Sequence, residues 1–398
     1  MPAKRSWRGS ISTPRFRRWC NNGTMRSPVL SLILHAAETL FPGYFALVMA
    51  TGALSIALYL LDYRLIAEAL FVVNVLAYAA LCGLALLRVV YFPQRILADL
   101  IDHARAPGFF TLVAGTCVFG TDVAVTSQLL GLAEFFWAVG ILFWIVVMYG
   151  FFTVVVTRVD KPDLEAGING AWLIAAVATQ SVAVLGAVIA PDFTEPSVPL
   201  FFCMIMYLVG CMLYLSIITL IFYRLTFIHL TSATFTPPYW INMGAVAITT
   251  LAGATLALRA HFSPLLQEIL PFLKGFTLFF WAAASWWIPL LLILMVWRHG
   301  VMRYPLRYDP QYWGMAFPIA MYTTGTFRLA EALQLDFLMI VPRGFVWVAL
   351  LIWLIVFAGM VSQLARTWRS KLMEFRTASH ETYASPARKS RAVGDHSE

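Results

Sequence analysis

The chain has 398 residues, of which 61% are hydrophobic and only 12% charged, with a formal net charge of +8 and a mean hydropathy of +0.77. A soluble domain carries about 25% charged residues, so the polar side chains needed for a water-exposed surface are missing. The apolar content excludes intrinsic disorder as well, which leaves a protein dissolved in a lipid bilayer.

In chain order, residues 1–37 read as a basic arm, with Arg15, Arg17 and Arg18 among its cations. Its last part, from Pro28, has the length of a short helix on the membrane surface. Ten stretches without Asp, Glu, Lys or Arg follow: 39–61, 69–87, 106–121, 135–157, 166–191, 196–223, 225–258, 275–297, 310–327 and 344–365. A hydrocarbon core ~30 Å thick needs about 20 apolar residues in a helix. Lipid obliges each spanning segment to satisfy its own backbone hydrogen bonds, and these runs lack the alternation of barrel strands. The spacing predicts ten transmembrane helices within residues 38–369, and a polar tail over 370–398 expected to be disordered. The first apolar run continues into a full span, so no cleaved leader is expected.

Charge sets the orientation. Seven Lys/Arg lie in residues 1–41, seven more from Arg366 onward, and nine in the connections after the even spans, which puts 23 of 28 on the side of the termini. Lys/Arg excess marks the cytoplasmic side, so both termini are expected inside. The positive charge is then a topology signal and not a nucleic-acid surface, which would need a folded basic domain.

A repeat runs through the chain. Pro42-Gly43-Tyr44-Phe45-Ala46-Leu47-Val48 returns as Pro107-Gly108-Phe109-Phe110-Thr111-Leu112-Val113, with weaker echoes at Gly170-Ala171-Trp172, Pro238-Tyr239-Trp240 and Gln311-Tyr312-Trp313. Each unit holds two spans and opens an odd-numbered one. The odd spans have small, hydroxyl-bearing middles, whereas the even spans are bulky, as in Phe135-Phe136-Trp137 and Trp286-Trp287. Five helical hairpins in a quasi-fivefold ring around a central pore fit this pattern. Thr51, Gly52, Thr116, Thr179, Thr250 and Thr323 are then the candidate pore lining. The alternative is that small residues merely let helices pack closely.

Ionisable groups within spans are functional candidates. Asp122 lies in the third span, and it is either an acid paired at the outer mouth or the proton carrier of a coupled transporter. Arg328 near the outer end of the ninth span either pairs with Glu331 at i, i+3 or draws anions to the mouth. The five cysteines form no CxxC pair and read as small buried hydrophobes; no metal site is expected. The seven histidines fall at span ends, loops or tails, which offers no axial pair for haem. Neither a GxxxxGK[ST] loop nor HExxH occurs. No cofactor and no enzymatic activity are expected.

The opening of the first span, Phe41-Pro42-Gly43-Tyr44-Phe45-Ala46-Leu47-Val48-Met49-Ala50-Thr51-Gly52, resembles the tellurite-resistance/dicarboxylate transporter family, and Trp313-Gly314-Met315-Ala316-Phe317-Pro318-Ile319-Ala320-Met321-Tyr322-Thr323 resembles its ninth helix. The similarity covers roughly residues 38–366. That family includes bacterial TehA, the plant guard-cell slow anion channels, and fungal malate and sulfite transporters. The resemblance implies a homotrimer in the cell (inner) membrane, each protomer with its own pore for small anions. It also implies that Phe317 plugs the pore, with Pro318 bending the helix beside it. The motif variants lie nearer the malate-like branch and favour C4-dicarboxylates, with chloride, nitrate, sulfite and tellurite as rivals. Channel and proton-coupled carrier both remain open.

Overall fold

Proline explains how the odd helices begin. Four of the five repeated openings carry Pro at the first or second position of a short 3-10 turn: Pro42–Phe45, Ala106–Phe109, Pro237–Trp240 and Pro310–Tyr312. Proline's missing N–H is harmless there and its fixed φ starts a helix. The fifth opening, Gly170–Leu173, is capped instead by the Asn169 side chain, which accepts from the Ala171 amide. In the computed structural model, which describes residues 28–384 and side chains over 29–370, these turns run without a break into α1 (Ala46–Leu60), α3 (Phe110–Asp122), α5 (Ile174–Ile189), α7 (Ile241–Leu258) and α9 (Trp313–Leu333). Between them lie α2 (Arg64–Tyr91), α4 (Leu130–Thr157), α6 (Ser197–Phe227), α8 (Leu270–Val296) and α10 (Ile340–Ala384). The basic arm 1–27 and the end of the tail lie outside the described residues. Left-handed residues close several odd-to-even turns, with φ 65° at Asp62 and 57° at both Gln128 and Gln334, the usual way to stop a helix.

No strand occurs among the described residues, and nine of their helices are long and apolar enough to cross a membrane. Ten were expected. The one outside that set is α9, which has the length of a span at 21 residues but is diluted by three Thr, two Gly, Arg328 and Glu331. A helix packed among other helices need not be apolar on every face. Helix α10 continues past residue 370, to Ala384, so the boundary expected there does not coincide with the end of a helix.

Burial alternates along the chain. Between 83% and 94% of each apolar odd window is buried, against 17% to 39% for the even windows. The odd helices pack on one another in sequence, α1 on α3, α3 on α5, α5 on α7 and α7 on α9, and α9 packs back on α1. Small residues make the close approaches possible: a Cβ on Gly325 of α9 would lie 2.7 Å from the Ala247 carbonyl oxygen of α7.

Two compact units can be separated. The larger comprises Phe41–Cys82 and Leu97–Met360 and contains the whole cycle of odd helices. In the smaller, whose described parts are 28–40, 83–96 and 361–384, the helix Pro28–Thr39 is held by Arg95, whose guanidinium pairs with Glu38 at 3.0 Å.

Candidate anion path

The five openings meet. Within the larger unit they line one cavity of about 50 Å³, with Phe41, Ala46 and Met49 from the first, Gly108 and Thr111 from the second, Asn169, Ile174 and Val177 from the third, Thr236 and Ile241 from the fourth, and Gln311, Gly314 and Phe317 from the fifth. Glycine is required where neighbouring openings touch. A Cβ on Gly108 would sit 2.7 Å from the Gly43 nitrogen, and one on Gly170 would sit 2.3 Å from the Pro238 oxygen.

The cavity's field comes from the backbone. Among the described residues, no Asp, Glu, Lys or Arg lines it. Five helix N-termini point toward it, each carrying roughly half a positive elementary charge and free first-turn amides. Three openings have no side-chain cap, at Phe41, Arg105 and Thr236. Asn169 and Asp309 cap the other two, each accepting an amide at 2.8 Å.

Phe317 belongs to the lining and is packed to 1% exposure. The next residue, Pro318, cannot donate to the carbonyl one turn back, which loosens α9 at this point. Its ring presses on α7, because a Cβ on Gly244 would lie 2.6 Å from Pro318 Cγ.

The other candidate positions sit elsewhere. Thr51, Thr116, Thr179, Thr250 and Thr323 are buried, yet neither they nor Gly52 line this cavity. Each of the five hydroxyls donates to the carbonyl four residues back, at 2.8 to 3.0 Å, the usual solution for Thr inside an apolar helix. Three also serve the even helices. Thr51 accepts from Trp353 Nε1 at 3.0 Å, Thr179 from Trp144 Nε1 at 2.9 Å, and Thr116 bonds to the Tyr78 hydroxyl at 3.1 Å. Trp281 Nε1 repeats the motif on Thr326, at 3.0 Å.

Gly52 and Asp122 come together instead. Asp122 is fully buried and accepts from Asn74 Nδ2 of α2 at 3.0 Å and from the Thr126 hydroxyl at 2.9 Å. A Cβ on Gly52 would lie 2.8 Å from that Asn74 nitrogen and 3.6 Å from Asp122 Oδ2. Arg328 pairs with Glu331 at 2.7 Å. Near it at the end of α7, burial and the Arg328 charge pull the Arg259 guanidinium below its ordinary pKa, while Asp192 acts the other way.

Met49, Val177, Asn169 and Gln311 were not among the sequence candidates, although the cavity includes them. Their signal was the repeat itself: the segments that recur are the segments that converge. Hydroxyl content pointed to the middles of the helices instead.

A family model described as voltage-dependent anion channel matches residues 39–361. An uncharacterized membrane protein of Mycobacterium tuberculosis is 39% identical over 155 residues, which is 39% of this chain and 78% of that protein. An uncharacterized transporter of Methanocaldococcus jannaschii is 24% identical, covering 81% of this chain and 94% of its own length. The sulfite efflux pump SSU1 of Arthroderma benhamiae is 23% identical, covering 81% and 90%.

Proposed function

We propose a function from one premise: the chain belongs to the voltage-dependent anion channel family. It is a membrane protein of anion transport and not an enzyme. In our reading the ten helices are five hairpins, and the cycle of odd helices surrounds a pore that opens at the cavity and is closed by the Phe317 ring. The observation that carries this is the convergence of five helix N-termini, three of them without a side-chain cap, on an uncharged cavity whose lining includes Phe317. A ring across a narrow path blocks ions and keeps water out, so displacing it is the gating step.

The cargo is a small anion. Sulfite comes first, because a fungal relative aligned over most of its length is named for sulfite efflux. Malate, which the motif resemblance favours, comes second. The same resemblance supports a homotrimer, and the distribution of Lys/Arg supports a cell membrane protein with both termini in the cytoplasm.

Anion current in proteoliposomes, recorded for the wild type and Phe317→Ala with sulfite, malate and chloride, tests the gate. If the ring accounts for even about 1.4 kcal/mol of the barrier, its removal raises current about tenfold. Equal currents in the two proteins would sink the gate. The proton-coupled carrier is a second reading, favoured by the burial of Asp122 among Gly52, Asn74 and Thr126 without an ion-pair partner among the described residues. Under it, Asp122→Asn retains anion exchange but loses acid-driven uptake. Uptake that responds to pH equally in both proteins excludes Asp122 as the proton carrier.

A further inference from the structure

Four even helices carry an arginine near the end that faces the openings: Arg88, Arg158, Arg224 and Arg298. Three of them donate to a carbonyl in the segment that precedes their own hairpin. Arg88 reaches Leu40 O, Arg158 reaches Ile101 O at 2.7 Å, and Arg224 reaches Glu165 O at 3.0 Å. Arg298 departs from this pattern. It is 4% exposed, yet among the described residues its Nε and Nη1 have no hydrogen-bond partner. Its guanidinium stacks 4.3 Å from the Tyr304 ring. Beside it, His299 Nδ1 donates to the Tyr304 carbonyl at 2.9 Å, and the buried Nε2 of the same ring is left without a partner. A buried guanidinium without acceptors is strongly disfavoured, so three unpaired nitrogens at one place require an explanation.

Of these residues, His299 stands at the end of a groove. It has a volume of about 650 Å³ and runs between the end of α8 and α10, with His299 and Arg307 in its lining at one end and Leu292, Val296, Ile352 and Ile355 along its length. The Arg298 charge acts on the hydroxyl of Tyr312, another lining residue. Leu292, Val296 and Ile355 are 51%, 65% and 58% exposed, so the groove opens outward with an apolar wall. At its charged end α8 passes into a π-helical turn, Trp297–Val301, a distortion often associated with functional sites.

We propose that this groove holds one anionic phospholipid, with an acyl chain along α8 and α10 and its phosphate at the end lined by His299 and Arg307, beside the buried charge of Arg298. Charge complementarity selects an anionic headgroup over a zwitterionic one. A phosphate there accepts from the exposed Arg307 guanidinium, with the buried charge of Arg298 behind His299 adding to the attraction. Basic pockets between transmembrane helices on the cytoplasmic side take acidic headgroups in this way. The proposal rests on the membrane orientation above and is independent of the cargo.

Native mass spectrometry of the full chain tests it, with phosphatidylglycerol and phosphatidylcholine of the same acyl chains. We expect phosphatidylglycerol to be retained about tenfold more strongly, as befits charge-assisted hydrogen bonds. That preference should vanish in Arg298→Gln and in Arg307→Gln. Ile355→Trp, which fills the apolar part without changing charge, should release the lipid. Arg307 is exposed, so its variant carries the test even if Arg298→Gln does not fold. Equal retention of the two lipids overturns the proposal, as does unchanged retention of phosphatidylglycerol in the Arg307 and Ile355 variants. Inorganic phosphate that protects against thermal unfolding as well as phosphatidylglycerol does, in the wild type and in Ile355→Trp alike, would mean a free-anion site and not a lipid site. Dissociation of an oligomer by Ile355→Trp would mean that a second copy of the chain covers the groove.

Discussion

At Gly170 a single methyl group decides whether two helix openings can touch. Its Cβ would lie 2.3 Å from the Pro238 oxygen, a backbone atom that cannot rotate away. Gly170→Ala should therefore cost about 1–3 kcal/mol, the range for overpacking a tight site, and lower the melting temperature followed by tryptophan fluorescence. Gly150→Ala in α4 meets nothing within 4 Å and should be neutral or stabilising by up to about 1 kcal/mol through helix propensity. If both variants melt like the wild type, the openings do not pack as described. Residues of this kind were only half legible in sequence. The Pro-Gly-aromatic repeat marked Gly43 and Gly108 as special, but nothing local revealed that Gly108 abuts the Gly43 nitrogen. The threonines illustrate the opposite problem. A hydroxyl in an apolar helix reads as a pore lining, whereas Thr51 and Thr179 bond to their own helices and to tryptophans of α10 and α4. Spacing along one helix does not reveal which neighbour its face meets.

Between elements, aromatic N–H groups of even helices tie onto odd-helix hydroxyls. The Trp144–Thr179, Trp281–Thr326 and Trp353–Thr51 bonds recur with one geometry, 2.9 to 3.0 Å. In helical membrane proteins such side-chain bonds average about 0.6 kcal/mol. Trp144→Phe should therefore lower stability by about that amount beyond any change in packing, and its loss and that of Thr179→Val should fall short of additive by the same amount in the double mutant. Independent, additive losses in that cycle would contradict a direct bond. Helix α9 needs its neighbours most. With Pro318 inside it and Arg328 and Glu331 near its end, its composition falls short of a free-standing span, and its packing on α1 and α7 supplies the burial. Sequence repeats predicted where α9 begins. They did not mark it as the one of the ten that falls outside the set long and apolar enough to cross a membrane.

On the scale of the whole molecule, alternate ends of the helices must face opposite sides of the membrane if the odd and even helices cross it. Asp62 lies between α1 and α2, and Asp160 lies after α4; both are exposed. In the cytoplasmic-termini orientation, a cysteine introduced at Asp62 should react with an impermeant thiol reagent added outside intact cells. One at Asp160 should react only after the cells are opened. Labelling of both from outside would refute the topology. Both cysteines are introduced into a chain whose Cys20 and half-buried Cys82 have been replaced, and the buried Cys117, Cys203 and Cys211 should stay silent in either case.

The sequence by itself determined the membrane class, the helical content, the repeated openings and the family resemblance. These depend on composition and on local rules: hydropathy, backbone satisfaction in lipid, and proline at helix starts. Tertiary structure alone decided which faces of those helices meet. It gathered five openings onto one uncharged cavity, turned the threonines toward the even helices, enclosed Asp122 with Gly52 and Asn74, and left Arg298 without the carbonyl that its counterparts reach. The reason is physical: periodicity specifies that a helix has a buried face, but when nearly every residue is apolar it carries little information about the partner, and only packing distinguishes one neighbour from another.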